Sequence, residues 1–369
     1  MTAAANDERF MRLALALGAR HLGLTAPNPS VGAVVVREEG GSPLIVAQGI
    51  TQPGGRPHAE RVALGVSGEA AKGATLYVTL EPCSHHGKSP PCVDAVIASG
   101  IARVVSAIED PDDRVAGEGH TRLRQAGIRV DVGCLAEQAR RDHRGHIMRV
   151  TKGRPAITVK LARTTEGLAG TRNGPRLMIT GDLTNARVQM MRAHADAIMV
   201  GVGTVLTDDP LLTVRLPGLE DRSPVRIVID SHLRTPADAK LVKGARNMPS
   251  WIVTTVAASV EAEKRLVQSG IEVLRVGADA QGRVALAEAM RLLGTRGLTR
   301  VFSEGGPGLA DALASADLID ELVLATGRSA RGQGDVPALG PVLQDRMDEM
   351  RLIGDEMLGP DLLMSWERA

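Results

Sequence analysis

The sequence predicts an α/β protein of two domains, residues 1–150 and 151–369, and three observations carry that prediction. Short apolar runs rich in Val and Ile alternate with amphipathic segments of helical period, the pattern of helices covering a sheet. The alternation then restarts. After Thr151-Lys152-Gly153-Arg154-Pro155, where Gly and Pro stand among charged residues, Ala156 to Ala162 opens a second series. At 369 residues the chain is also long for a single core.

In the first domain, Met11, Leu13, Ala14, Leu15, Leu17 and Leu22 make an opening amphipathic helix that ends near Gly23. Ala26 to Gly32, rich in Pro and Gly, is a stiff loop that presents Asn28, whose amide suits a pyrimidine edge or a ribose hydroxyl, or an ordinary turn bond. Strands Ala33–Val36 and Leu44–Ala47 follow, then a helix beginning at His58 that holds His58 and Glu60 in its first turn. The run Ala74–Leu80 is a buried strand ending at Glu81-Pro82-Cys83. Pro91 suits a first helical position, with Cys92 opening the helix through Ala98. Strand Arg103–Ile108, helix Gly119–Ala126, strand Ile128–Val132 and a basic helix Glu137–Val150 complete the domain.

His58, Cys83 and Cys92 are the ligand set of a catalytic zinc. One neutral imidazole and two thiolates balance the dication and leave a fourth position for water, whose pKa falls to about 7. Glu60 is a carboxylate beside them that is not needed as a ligand. H-x-E followed by P-C-x-x-C is the zinc-deaminase signature, with Glu as general acid and base; here eight residues separate the cysteines. A closed structural site, with His85 or His86 as fourth ligand, is the alternative. An acid two residues from a ligand speaks for catalysis, and His85 and His86 are read as loop residues at the pocket mouth.

Composition narrows the partners. Formal net charge is +1 and aromatic residues are 1% of the chain, so the basic, ring-lined groove of a nucleic-acid deaminase is not expected. No apolar run is long enough to span a bilayer, and the N-terminus lacks signal-peptide order, so a cytoplasmic protein is expected. Of 3 cysteines, Cys134 is left as a small buried hydrophobe.

In the second domain, strand Ala156–Ala162 precedes helix Leu183–Ala193, strand Ala197–Val200 and the turn Gly201-Val202-Gly203-Thr204. Strands Val225–Asp230, Trp251–Thr254 and Glu272–Arg275 come next. Strand Arg300–Ser303 then enters Glu304-Gly305-Gly306-Pro307-Gly308 and a helix at Leu309. Strand, Gly-rich turn and helix together are suited to hold a phosphate on backbone amides, although glycines also make ordinary turns.

Pro27-Asn28-Pro29, His58-Ala59-Glu60, Glu81-Pro82-Cys83-Ser84-His85-His86-Gly87-Lys88 and Pro90-Pro91-Cys92 resemble the deaminase half of the bifunctional riboflavin-biosynthesis deaminase/reductases. Thr204 to Arg215, Ile229-Asp230-Ser231 and Glu304 to Pro307 resemble the reductase half, so the likeness spans nearly the whole chain. The resemblance implies a cytidine-deaminase-like three-layer α/β domain followed by a dihydrofolate-reductase-like α/β domain. It implies zinc-dependent deamination of a phosphoribosylamino-diaminopyrimidine, then NADPH-dependent reduction of the ribose to a ribityl chain. It makes Zn²⁺ and NADPH the cofactors, a small phosphoribosyl pyrimidine the partner, and the assembly a homo-oligomer, a dimer or larger. By residue, it implies Ala162, Met178, Thr204, Asp208, Ser231, Gly306, Pro307 and Gly308 as NADPH contacts, and Asn28, Arg176, Arg192, Leu212, Arg215 and Glu304 as substrate contacts. Arg192 and Arg215 are natural phosphate clamps. The chain departs from the family at Thr164-Thr165-Glu166-Gly167 and at Arg176-Leu177-Met178-Ile179-Thr180, where a Trp is usual at Met178. A working reductase with an altered pocket is expected, with a small-molecule sensor as the rival reading of this half.

Overall fold

Helix α1 spans Ala3–Ala19, starting among the Ala, Asn, Asp and Glu residues ahead of the apolar stripe and ending before the expected Gly23. Met11, Ala14 and Leu15 on its inner face are fully buried. The structure, a computed structural model, describes residues 3–87, 89–112, 116–171, 177–328 and 334–368, and forms two units, Met1–Arg154 and Pro155–Ala369.

The first unit has a five-stranded sheet of β1 (Gly32–Glu39), β2 (Ser42–Ile50), β3 (Thr75–Val78), β4 (Arg103–Ser106) and β5 (Arg129–Val132), ordered β2-β1-β3-β4-β5. β1 runs antiparallel to β2 and β3, while β3, β4 and β5 are parallel. Its other helices are α2 (Ala59–Ser67), α3 (Cys92–Ala98), α4 (Glu118–Gln125), α5 (Ala136–Asp142) and α6 (Arg144–Lys152). α1 packs on β1, β3 and α5, whereas α2, α3 and α4 pack in succession. The central strands are buried on both faces, which requires a helical layer on each.

Three local expectations change. His58 is the N-cap of α2 with extended backbone, not a helical residue, and Pro91 likewise caps α3. The single basic helix expected over 137–150 is two helices broken at His143, whose ψ is 7°; its imidazole meets the Thr79 hydroxyl at 3.0 Å, and this tertiary contact accompanies the break. The second helix runs on to Lys152. Cys134 is half-buried against the core rather than within it.

The second unit holds β6 (Ala156–Thr164), β7 (Leu168–Gly170), α7 (Asp182–Ala193), β8 (Ala197–Gly201), α8 (Val202–Asp208), β9 (Val225–Ile229), α9 (Lys240–Lys243), β10 (Ser250–Thr255), α10 (Val260–Gln268), β11 (Glu272–Val276), α11 (Leu286–Thr295), β12 (Arg300–Ser303), α12 (Gly306–Ser315), β13 (Glu321–Gly327), β14 (Val336–Pro337), α13 (Pro341–Asp348), β15 (Met350–Leu358) and β16 (Asp361–Arg368). The main sheet is ordered β11-β10-β9-β8-β12-β6-β13-β16-β15, parallel except for β16 and β15. β12 returns late in the chain to lie between β8 and β6, so the winding direction changes there. A crevice at the carboxyl ends of these strands is the usual ligand site of such sheets. The segment read as a turn, Val202 to Thr204, is the start of α8, and the glycines after β12 form the first turn of α12. The antiparallel pair β15 and β16 goes unread in the sequence analysis.

Candidate functional site

In the first unit, the N-cap of α2, the loop after β3 and the first residue of α3 converge. His58 Nδ1 lies 3.6 Å from Cys83 Sγ and 3.4 Å from Cys92 Sγ, and the three donor atoms all lie within 4.8 Å of one another. Bonds of about 2.3 Å to sulfur and about 2.1 Å to nitrogen, meeting at a tetrahedral angle, place N and S about 3.6 Å apart, so the donor set fits zinc without rearrangement. The Cys92 backbone N–H donates to Cys83 Sγ at 3.3 Å. A hydrogen bond from the Cys92 thiol holds Cys83 down to about 4, and the same bond with burial pushes Cys92 up. Zinc binding requires both sulfurs as thiolates, so it is coupled to proton release.

Glu60, in the first turn of α2, is 3% exposed. Burial, and then the Cys83 thiolate, push its carboxyl above the usual range, the direction a proton carrier requires. A cavity of about 110 Å³ is lined by Asn28, Arg56, His58, Glu60, Cys83, His85, Asp110, His146 and Arg149, among others. Asn28 Nδ2–H donates to the Gly55 carbonyl at 2.8 Å, so the amide is oriented by the protein and presents its oxygen as the remaining acceptor. Asp110, His146 and Arg149 are not among the site residues expected from the sequence. The spacing of the last two on one helical face is a signal that could have shown them together, but only the fold brings that face to the zinc ligands.

Behind the ligands, Glu81 Oε2 accepts from the Asp110 and Gly117 N–H groups and Oε1 from that of His120, at 3.0–3.1 Å. This carboxylate ties the loop after β4 and the start of α4 to the Cys83 loop. It is structural, although the sequence places it beside a ligand.

In the second unit a cavity of about 1610 Å³ opens at the carboxyl ends of β6, β8, β9 and β12. Ala162, Met178, Thr204, Asp208, Ser231, Gly306, Pro307 and Gly308 line it, as do Arg192, Leu212, Arg215 and Glu304; Arg176 lies outside the described residues. Thr204 and Asp208 stand one turn apart on α8. Gly306 opens α12 at φ 73°, a conformation glycine adopts freely, and the first turn of this helix lines the cavity. Ser231 is fixed by the Val284 N–H, which donates to its Oγ at 3.0 Å. Met178 is 67% exposed at the rim, not packed in the place of a ring. The Leu212 side chain belongs to the core, so its backbone is the part left to meet a ligand.

The two arginines on this cavity differ from each other. Arg192 Nε and Nη2 donate to the two oxygens of Glu304, each at 2.7 Å, and Nη1 donates to the Thr213 carbonyl. Burial would raise the Glu304 pKa, but Arg192 holds it below the usual carboxylate range. A guanidinium so occupied cannot also fork around a phosphate. Arg215 is exposed, and its guanidinium has no hydrogen-bond or ion-pair partner among the described residues.

Residues 155–363 match the family described as the RibD C-terminal domain, and residues 4–108 match the cytidine and deoxycytidylate deaminase zinc-binding region. The riboflavin biosynthesis protein RibD of Aquifex aeolicus is 39% identical over 98% of this chain and 98% of its own. That of Escherichia coli K12 is 38% identical over 95% and 98%. Among solved structures, Acinetobacter baumannii RibD superposes with a TM-score of 0.85 at 28% identity, covering 99% of both chains. The Thermotoga maritima diaminohydroxyphosphoribosylaminopyrimidine deaminase/5-amino-6-(5-phosphoribosylamino)uracil reductase does so with 0.84 at 32%, covering all of both. The chain therefore belongs to the RibD family of riboflavin biosynthesis, joining a zinc-dependent deaminase to an NADPH-dependent reductase.

Proposed function

We propose that residues 1–150 deaminate 2,5-diamino-6-(5-phosphoribosylamino)pyrimidin-4(3H)-one and that residues 151–369 reduce the ribose of the resulting 5-amino-6-(5-phosphoribosylamino)uracil. The observation that carries the first half is a buried Glu60 beside three donors spaced for tetrahedral zinc. His58, Cys83 and Cys92 hold the metal, which when bound supplies the Lewis acidity that makes water nucleophilic near neutral pH. Water adds to the amine-bearing ring carbon. Glu60 takes the proton released, places it on the ring nitrogen, and then carries a second to the departing ammonia. Asn28 offers its amide oxygen to a donor on the substrate.

In the second half, NADPH when bound supplies the hydride. The amides at Gly306, Pro307 and Gly308, excepting the proline nitrogen, receive phosphate at a helix start. Thr204, Asp208 and Ser231 hold the rest of the dinucleotide, and Ala162 with Met178 borders the nicotinamide. Arg215 and the departing residue Arg176 meet the substrate phosphate, Leu212 contributes backbone, and Glu304, oriented by Arg192, borders the sugar. Catalysis here is mostly positioning of the nicotinamide against the sugar carbon. We place the protein in the cytoplasm as a homo-oligomer; among the described residues no helix is long and apolar enough to cross a membrane.

A two-stage assay tests this reading. Zinc-loaded protein given the phosphoribosyl diaminopyrimidine should release ammonia, and NADPH added next should be oxidised in equal amount. Ammonia without oxidation would reduce the second half to a repurposed reductase, and no ammonia would return the metal to a structural role.

A further inference from the structure

Asp110 stands in the loop after β4 and is 7% exposed, on the wall of the cavity that holds Glu60 and His58. Its Oδ1 accepts from the Asp112 N–H at 3.0 Å and from His146 Nε2 on α6 at 2.8 Å. Its Oδ2 has no hydrogen-bond partner among the described residues. A carboxylate oxygen held this rigidly on a cavity wall, with no donor from the described residues, is an acceptor open to a ligand. With the Asn28 oxygen, it gives this cavity two acceptors for ligand N–H groups, beside the cationic Arg56 and Arg149 that also line it.

We propose that Asp110 is a specificity-determining residue of the deaminase, accepting a hydrogen bond at Oδ2 from the 5-amino group of the pyrimidine, and that His146 is its positioning residue. The inference rests on the function proposed above. Conversion to a uracil removes the 2-amino group, so carbon 2 faces Glu60. The 5-amino group lies at the opposite vertex of the ring, so its partner must come from a part of the cavity lining other than Glu60. Asp110 and His146 come from the β4 loop and α6, which carry no metal donor.

The test is steady-state ammonia release by full-length, zinc-loaded protein from the substrate and from its analogue with hydrogen in place of the 5-amino group. Asp110→Asn keeps the shape and the Oδ1 bonds but turns the free acceptor into a donor. KM for the substrate should rise about 10- to 100-fold with kcat little changed, the size of one lost buried hydrogen bond. Wild type should show a similar preference for substrate over analogue, and Asp110→Asn should lose it. His146→Phe should give part of the same KM rise, and His146→Gln, which restores an N–H donor, should recover it. A variant that holds one zinc per chain and unfolds at the wild-type temperature, yet has unchanged KM or loses equally on both compounds, would overturn the proposal. No ammonia from wild type would instead overturn the function beneath it.

Discussion

Three side chains carry most of the chemistry that can be isolated at the residue scale. Glu60→Gln preserves volume and the zinc donors but cannot cycle a proton. It should keep one zinc per chain by metal analysis while ammonia release falls at least about 10²- to 10⁴-fold. Arg215→Ala should raise KM for the reductase substrate far more than KM for NADPH, both read from NADPH absorbance. Equal loss on both would place Arg215 on the cofactor side. Glu304 is lower in the fold than in the unfolded chain, so its contribution to stability is complete above the usual carboxylate range and is lost as pH falls through its folded value. Glu304→Gln leaves Arg192 buried without its counter-charge and should cost about 3–5 kcal/mol at pH 7. The gap from wild type should close as pH falls through the folded Glu304 value, below the usual carboxylate range, as followed by denaturant melts across pH.

Elements meet most closely where α1 crosses β1. A Cβ on Gly32 would sit 1.8 Å from the Ala14 carbonyl oxygen and 2.8 Å from the Gly18 nitrogen, both backbone atoms that cannot step aside. Gly32→Ala should therefore destabilise the first unit by at least about 1–3 kcal/mol, seen as a lower melting temperature. Most strands were readable because buried parallel strands are continuous runs of Val, Ile and Leu, and β12 lies on Arg300–Ser303 as expected. The short pair β7 and β14, the buried strand β13 and the edge pair β15 and β16 escaped notice. β15 carries Arg351, Asp355 and Glu356 on an exposed edge, so no apolar run marks it; β16 is half-buried, and its place is set by pairing with β13. The break at His143 was invisible for a related reason, since it accompanies a contact with Thr79, far away in sequence.

Across the whole molecule, each unit has its own sheet and core, so zinc removal should separate the two activities. Chelation should abolish ammonia release and lower the first unit's melting transition by calorimetry, because a structural donor set returns its binding energy to folding. NADPH oxidation with pre-deaminated substrate should persist. Loss of both together would mean that the reductase depends on the metal.

The sequence alone determined the chemistry of the first site. Two thiols, an imidazole and a spare carboxylate have few other uses at that spacing, and ligand identity is a property of residue type. It also determined the repeated α/β order, which follows from local hydrophobic period. Only the tertiary structure decided which polar groups remain available. Arg192 is occupied by Glu304 and the Asn28 amide nitrogen by Gly55, whereas the Asn28 amide oxygen and one Asp110 oxygen stay available. Partners of this kind come from distant segments, and the burial that makes an unmet donor or acceptor matter exists only once the chain has folded.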